Sequence, residues 1–131
     1  MASKVEVDEL AGAGSAGVMT VVGEGGSTTT NLQQGLCKCW ANIDGTSTAH
    51  IDDSFNTSGI TDNATGDYSI SISNDMSSTD YAPTASTDQF TVMIDAAQTK
   101  TAGVCRLDVE NSSGSNTDDA EVNLVIHGDL A

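Results

Sequence analysis

Short runs in which apolar and polar residues alternate one by one constrain the fold of this chain more than any other feature. The runs Tyr68–Ser73, Phe90–Ile94 and Val122–His127 carry apolar side chains at every second position. Because successive side chains of a strand point to opposite faces, this period of two predicts half-buried strands. Two further strands are predicted at Val104–Val109 and Gly35–Ile43.

Each of the last two runs separates its side chains onto two faces. In Val104–Val109, the side chains of Cys105, Leu107 and Val109 share one face. In Gly35–Ile43, the face with Lys38 and Trp40 lies opposite the face with the cysteines. Both patterns are those of sheet strands with two different environments.

The segments between these runs are rich in Ser, Thr, Asn, Asp and Gly, which favour turns over helices. No segment shows the 3.6-residue apolar period of an amphipathic helix. Asp44-Gly45 predicts a tight turn before Thr46–Ile51, and Thr61–Asp67 is interpreted as a turn that leads into Tyr68. Regular short strands with turns between them predict an all-β fold, a small antiparallel sandwich-like or sheet-rich domain.

The N-terminal quarter of the chain has a different composition. Gly, Ser and Thr dominate Ala11–Gly17 and Gly23–Thr30, which flank the apolar run Val18–Val22. We therefore predict an extended arm over residues 1–34 and a β-rich body over residues 35–131. Such an arm can add a strand to a neighbouring subunit, and the alternative is a tail without a structural role. The candidate anchoring residues are Val5, Val7, Val18, Val21 and Val22.

The supply of apolar residues is small for the charge that the chain carries. Val, Ile, Leu and Phe account for 25 of 131 residues, about 19%, and the net charge is −15. A fraction under about 20% with high net charge is typical of disorder, but the alternating runs indicate ordered strands. The composition therefore predicts that copies of the chain share burial in a homo-oligomer.

The charge balance also excludes several classes of partner. The basic residues are Lys4, Lys38, Lys100 and Arg106, too few for a phosphate-binding stripe, so no nucleic acid is expected. No stretch approaches the ~20 apolar residues of a membrane span, so no membrane insertion is expected. Met1–Glu9 lacks an apolar signal-peptide core, which favours synthesis in the cytoplasm.

No residue pattern calls for a cofactor or a catalytic centre. Cys37, Cys39 and Cys105 are expected to be reduced thiols that act as small buried apolar residues. The pairs Asp52-Asp53 and Asp118-Asp119 are interpreted as solvated loop charge, with Ca²⁺ between subunits as the alternative. Because no serine lies in a nucleophile elbow, the sequence predicts a non-enzymatic protein.

Aromatic residues make up only 4% of the chain, which makes each ring informative. Trp40, Tyr68 and Tyr81 can stack on sugars if they are exposed, and burial in a core or an interface is the favoured alternative. Together with Phe55 they are the candidate residues for surface recognition or for an interface.

The segment Gly35–Tyr81 contains a series of short motifs. These are Lys38-Cys39-Trp40, Asn42-Ile43-Asp44-Gly45-Thr46, Asp53-Ser54-Phe55-Asn56 and Ser58-Gly59-Ile60-Thr61-Asp62-Asn63-Ala64-Thr65-Gly66-Asp67-Tyr68. This series resembles a module common in structural proteins of tailed phages, many of them labelled tail fibre or tail-fibre-like. The lead-in Gly25–Gly35 and the ending Val122–Ala131 also resemble that module.

The resemblance implies a β-rich trimeric module on the surface of a virion, and it carries over no catalytic residue. Two roles fit it: a short fibre or knob that acts in host attachment, and a capsid decoration (cement) protein. The implied partners are identical copies, other virion proteins of the capsid or tail, and a glycan or protein of the host surface. A non-viral adhesin or carbohydrate-binding module is the alternative from another class, and a depolymerase is more distant.

Overall fold

The computed structural model describes residues 4–14, 19–23, 25–94 and 100–131. The chain divides into two compact units, Met1–Leu36 and Cys37–Ala131. Nearly all of the regular structure is antiparallel strand, which confirms the predicted all-β, sandwich-like fold. We call the second unit the body.

The N-terminal unit contains one small hairpin. Strand β1 (Thr20–Val22) pairs with β2 (Thr29–Asn31), and the single-turn helix α1 (Leu32–Gly35) follows directly. The Asn31 side chain caps α1 by accepting a 2.9 Å hydrogen bond from the Gln34 amide. No apolar period predicts this helix, because a single turn is too short to produce one. No strand forms within residues 4–14.

The body consists of two four-stranded antiparallel sheets. Sheet I has the order β4 (His50–Phe55), β3 (Cys39–Asp44), β10 (Val122–His127), β7 (Ala82–Thr87). Sheet II has the order β5 (Thr57–Ala64), β6 (Asp67–Ile72), β9 (Val104–Glu110), β8 (Thr91–Ile94). The first and last strands of the body, β3 and β10, are neighbours in sheet I, and Cys39 lies opposite Ile126.

The core of the body is built by the alternating runs. The buried apolar side chains of these strands come from every second position of β3, β6, β9 and β10: Cys39, Ala41, Ile43, Tyr68, Ile70, Ile72, Cys105, Leu107, Val109, Val122, Leu124 and Ile126. Each Val, Leu or Ile buried in this way contributes roughly 1.5–3 kcal/mol. The faces predicted for the strands at Tyr68–Ser73, Val104–Val109 and Val122–His127 are therefore confirmed.

The core lies within one copy of the body. Met76 and Tyr81 complete the cluster, which contains 14 buried apolar residues among those that the structure describes. The low apolar content therefore does not by itself require neighbouring copies, because the few apolar residues are concentrated on facing sides of the two sheets. A homotrimer stays a prediction that depends on the apolar side chains at the surface.

One of the crossings between the two sheets is made by a single residue. Asn56 lies between β4 of sheet I and β5 of sheet II and has a left-handed backbone, with φ 58°. The side-chain nitrogen of Asn56 donates to the backbone carbonyl of Lys38 at 2.9 Å and to that of Asn74 at 3.2 Å. Its side-chain oxygen accepts from the Asn74 amide at 2.8 Å. Asparagine tolerates this conformation better than most residues, and these bonds hold the crossing in place.

Two turn predictions were wrong in their extent. Asp44 ends β3, and Gly45–Ala49 forms a longer connection in place of a tight turn. The Asp44 carboxylate accepts the backbone N–H and the hydroxyl of Thr46, which orders the start of this connection. Most of Thr61–Asp67 belongs to β5, and only Thr65-Gly66 turns before β6, with Gly66 at φ 68°.

Candidate recognition surface

The four candidate aromatic residues divide between the core and the surface of the body. Tyr68 is fully buried, and its hydroxyl donates to the Asp118 carboxylate at 2.7 Å. Tyr81 is also buried, and its hydroxyl donates to the Val104 carbonyl at 2.8 Å. Because both are buried, neither tyrosine can serve in surface recognition, and both are core residues. Burial raises the pKa of both phenols, and the adjacent Asp118 raises that of Tyr68 further.

Trp40 and Phe55 lie side by side on the outer face of sheet I. In the β3–β4 ladder Trp40 is directly opposite Phe55, and in the β3–β10 ladder Trp40 is directly opposite Val125. Side chains that lie directly opposite in a sheet share a face and are in contact range. Phe55 is 54% exposed, and Trp40 and Val125 are half-buried. We call Phe55, Trp40 and Val125 the outer aromatic row.

The neighbouring row on the same face is polar. The ladders place Asp53, Asn42, Asn123 and Ser86 opposite one another across all four strands of sheet I. The Asn42 side-chain nitrogen donates to the Asn123 side-chain oxygen at 2.9 Å. The hydrogen bond holds two amides in fixed positions beside the rings. We call these four residues the amide row.

The end of this face beyond the amide row is acidic. His50 lies opposite Asp44, and its Nε2 is 3.2 Å from a carboxylate oxygen of Asp52. The hydrogen bond to the Thr48 carbonyl raises the pKa of His50, and the nearby carboxylates of Asp52 and Asp44 raise it further. Hydrogen bonds from Thr46 lower the pKa of Asp44. Carboxylates therefore dominate the electrostatics at the end of the face beyond the amide row.

Comparison of the chain with protein-family models, curated proteins and solved structures finds no match. The likeness to tail-fibre-like modules therefore stays a prediction from the motifs. Several motif residues have structural roles in the body: Asn56 forms the sheet crossing, and Gly66 donates its backbone N–H to the Asp118 carboxylate at 2.7 Å.

The outer face of sheet II is different in character. One of its rows consists of Thr61, Ser69 and Arg106. The Arg106 guanidinium forms a bidentate ion pair with the Asp67 carboxylate, with a 2.6 Å bond from Nε. The guanidinium lowers the pKa of Asp67. This face carries hydroxyl groups and charges where sheet I carries rings.

The described residues contain no group of three or more His, Cys, Asp or Glu that could hold a metal ion. Two aspartate pairs are interpreted from the sequence as solvated loop charge, with Ca²⁺ as the alternative. Asp52 and Asp53 are exposed. The interpretation was wrong for Asp119, which is buried and has one carboxylate oxygen without a hydrogen-bond partner, and Asp118 accepts from the Tyr68 hydroxyl. No helix in the described part of the chain has the length and hydropathy of a membrane span.

The three cysteines are free thiols in two environments. Cys39 and Cys105, which we call the core thiols, are fully buried, and Cys37 is half-buried. Burial raises the pKa of Cys39 to about 12 and that of Cys105 to about 11. Because the thiolate is the reactive form, the core thiols are chemically inert in the folded body.

The candidate anchoring residues of the N-terminal unit are uncovered. Val5, Val7, Val21 and Val22 are 83%, 60%, 52% and 58% exposed. Val18 lies outside the described residues. The β1–β2 hairpin exposes two valines to solvent, and none of its described residues is buried.

Proposed function

We propose that this chain is a non-enzymatic structural protein on the surface of a tailed-phage virion, a short trimeric fibre or knob that acts in host attachment and particle assembly. One observation carries the proposal: valines are exposed in the N-terminal unit, and on the outer face of sheet I the exposed Phe55 adjoins the half-buried Trp40. Exposed apolar side chains that cluster in this way are typical of interaction surfaces.

The N-terminal unit supports the anchoring part of the proposal. An isolated two-stranded hairpin is marginally stable in water, and this one buries neither Val21 nor Val22. Docking onto a sheet edge or groove of a neighbouring subunit or virion protein would cover these side chains. Deletion of residues 1–30 is therefore expected to leave the body folded and to abolish incorporation into particles.

A finer test than the deletion is the double variant Val21→Ser and Val22→Ser in the full chain, which keeps the length of the N-terminal unit. Loss of incorporation in this variant would show that the apolar side chains are needed for anchoring. Unfolding of the body after the deletion would contradict the proposed arm. Light scattering on the full chain should give the mass of three copies, and a stable folded monomer would contradict the trimer.

A trimeric capsid decoration protein is the second candidate function. The observation that favours it is the combination of a compact body with a preceding unit whose valines are exposed, which fits an anchor joined to a knob. Labelled antibody on imaged particles distinguishes the two roles, because a fibre or knob lies on the tail and a decoration protein on the head. Stoichiometric binding to undecorated heads would favour decoration.

A non-viral adhesin or carbohydrate-binding module remains the alternative from another class. If the chain is a non-viral module of this kind, phage particles will not contain it. Degradation of host polysaccharide by the purified protein would instead favour a depolymerase.

A further inference from the structure

The outer aromatic row and the amide row together have the dimensions of a site for an extended ligand. The outer aromatic row crosses three adjacent strands, and strands are spaced about 4.8 Å apart. The amide row lies two residues further along, about 6.6 Å away. The two rows place rings and fixed hydrogen-bonding groups side by side.

This pairing fits the chemistry of a sugar chain. A pyranose ring has a face of C–H groups, which pack against aromatic rings, and an edge of hydroxyl groups, which both donate and accept hydrogen bonds. Asn42 and Asn123 already bond each other at 2.9 Å, so little side-chain entropy is lost when they bind a ligand. Asp53 supplies acceptors at the end of the same row.

A protein partner fits the face less well. Stable protein interfaces bury about 800 Å² per partner and have an apolar centre depleted in charge. Here the apolar surface is a single row of three side chains. One flank carries amides and the carboxylates of Asp44, Asp52 and Asp53, and the other carries His127, two residues beyond Val125. Association with a second copy through this face would also bring the carboxylates beside the two amide rows close together.

The charge of the face selects among sugars. The nearby carboxylates and the net charge of −15 repel uronate, sialate and phosphate groups. Therefore we propose that the outer aromatic row and the amide row form a binding site for a neutral polysaccharide. This polysaccharide would be the host ligand that the chain binds in its attachment role, so the inference rests on the proposed function.

The position of the single tryptophan makes binding directly observable. Trp40 is the only tryptophan of the chain and lies within the site, so its fluorescence reports occupancy. The full-length protein is titrated with neutral hexose and N-acetylhexosamine polysaccharides and with uronate-, sialate- and phosphate-bearing ones. We expect saturable emission changes with one or more neutral polysaccharides and none with the charged ones.

The variant Phe55→Ala tests the site itself. Loss of one exposed ring is expected to weaken binding about tenfold. Asn123→Ala, which leaves both rings in place, should also weaken binding. This variant replaces Phe55→Ala as the test if circular dichroism shows that Phe55→Ala is misfolded. The matched control is Phe90→Ala, which removes a 37% exposed ring from the β7–β8 turn and should bind as the unmodified chain does.

Several results would overturn the site: no neutral polysaccharide bound, a preference for charged ones, or equal affinity in Phe55→Ala. Undiminished binding to cells whose polysaccharide has been destroyed by periodate would point to a protein partner and would also overturn it. Particle imaging separates this outcome from the proposed function. If virions carry the chain but the purified protein binds no sugar, the proposed structural role stands and the binding site is refuted. If the protein binds sugar but virions lack the chain, the binding site stands and the proposed function is refuted.

Discussion

Asn56 offers the sharpest test of how the two sheets are joined. The variant Asn56→Ala removes the side-chain bonds to Lys38 and Asn74 and forces alanine into a backbone conformation with φ 58°. The left-handed conformation costs alanine roughly 1–2 kcal/mol, and the lost hydrogen bonds cost about 1–2 kcal/mol at this partly exposed position. We therefore expect the free energy of unfolding to fall by about 3 kcal/mol.

A second substitution at the same position separates the two contributions. Asn56→Gly removes the same hydrogen bonds but relieves the backbone strain, at the cost of a more flexible unfolded chain. Its loss should be smaller than that of Asn56→Ala by about 0.5–1 kcal/mol. Asn116→Ala, at an exposed asparagine in the body, should change the free energy of unfolding by under about 0.5 kcal/mol.

The assay is urea unfolding followed by Trp40 fluorescence, with the midpoint and slope fitted for each variant. An Asn56→Ala protein as stable as the Asn116→Ala control would refute the argument that Asn56 holds the crossing. A greater loss in Asn56→Gly than in Asn56→Ala would refute the assignment of strain to the backbone. The total stability of a small domain is about 5–15 kcal/mol, so these differences are large enough to measure.

Three further predictions follow from contacts in the body. Gly45→Ala would place a methyl group 2.6 Å from the Tyr68 ring and should cost about 1–3 kcal/mol, whereas Gly59→Ala meets nothing within 4 Å and should be nearly neutral. Arg106→Gln should lower the free energy of unfolding at neutral pH by about 2 kcal/mol, because it leaves Asp67 partly buried without its cation. The two core thiols should resist Ellman's reagent at pH 8 until the protein unfolds, so that one thiol of three reacts quickly.

The Arg106→Gln prediction has a defined pH dependence. The pKa of Asp67 is lowered below its ordinary value of 3.8, so the ion pair stabilises the folded state above that pH. This stabilisation is lost as the pH falls through the folded-state pKa. The stability difference between the variant and the unmodified chain should therefore narrow under acid conditions, and a constant difference would contradict the assignment.

Much of the core could be predicted because its strands have alternating faces. Tyr68 occurs in register with Ile70 and Ile72, and all three are buried. That register was itself a signal that Tyr68 is a core residue and not a recognition residue. The pattern failed at β5, whose register shifts between Thr57 and Gly59 and again near Asp62, so the period of two is interrupted.

Strand β7 had no sequence signal for a different reason. It carries Pro83 and no large apolar side chain, and a proline is tolerated there because β7 is an edge strand of sheet I. The pairing of Trp40 with Phe55 also depends on long-range structure. Their alignment requires the β3–β4 register, which includes an irregularity after Asn42 that no local pattern indicates.

The pairing of the first strand of the body with the last determines how the body bears mechanical load. Strands β3 and β10 are antiparallel neighbours, and Cys39 at the start of one lies opposite Ile126 near the end of the other. Tension applied between these two ends would unzip the ladder one hydrogen bond at a time. Tension applied between the start of β3 and the connection at Gly45, at the far end of the strand, would instead load the bonds of that strand in shear, all together. A body tethered through its N-terminal end and pulled at the opposite end is therefore held in its stronger direction.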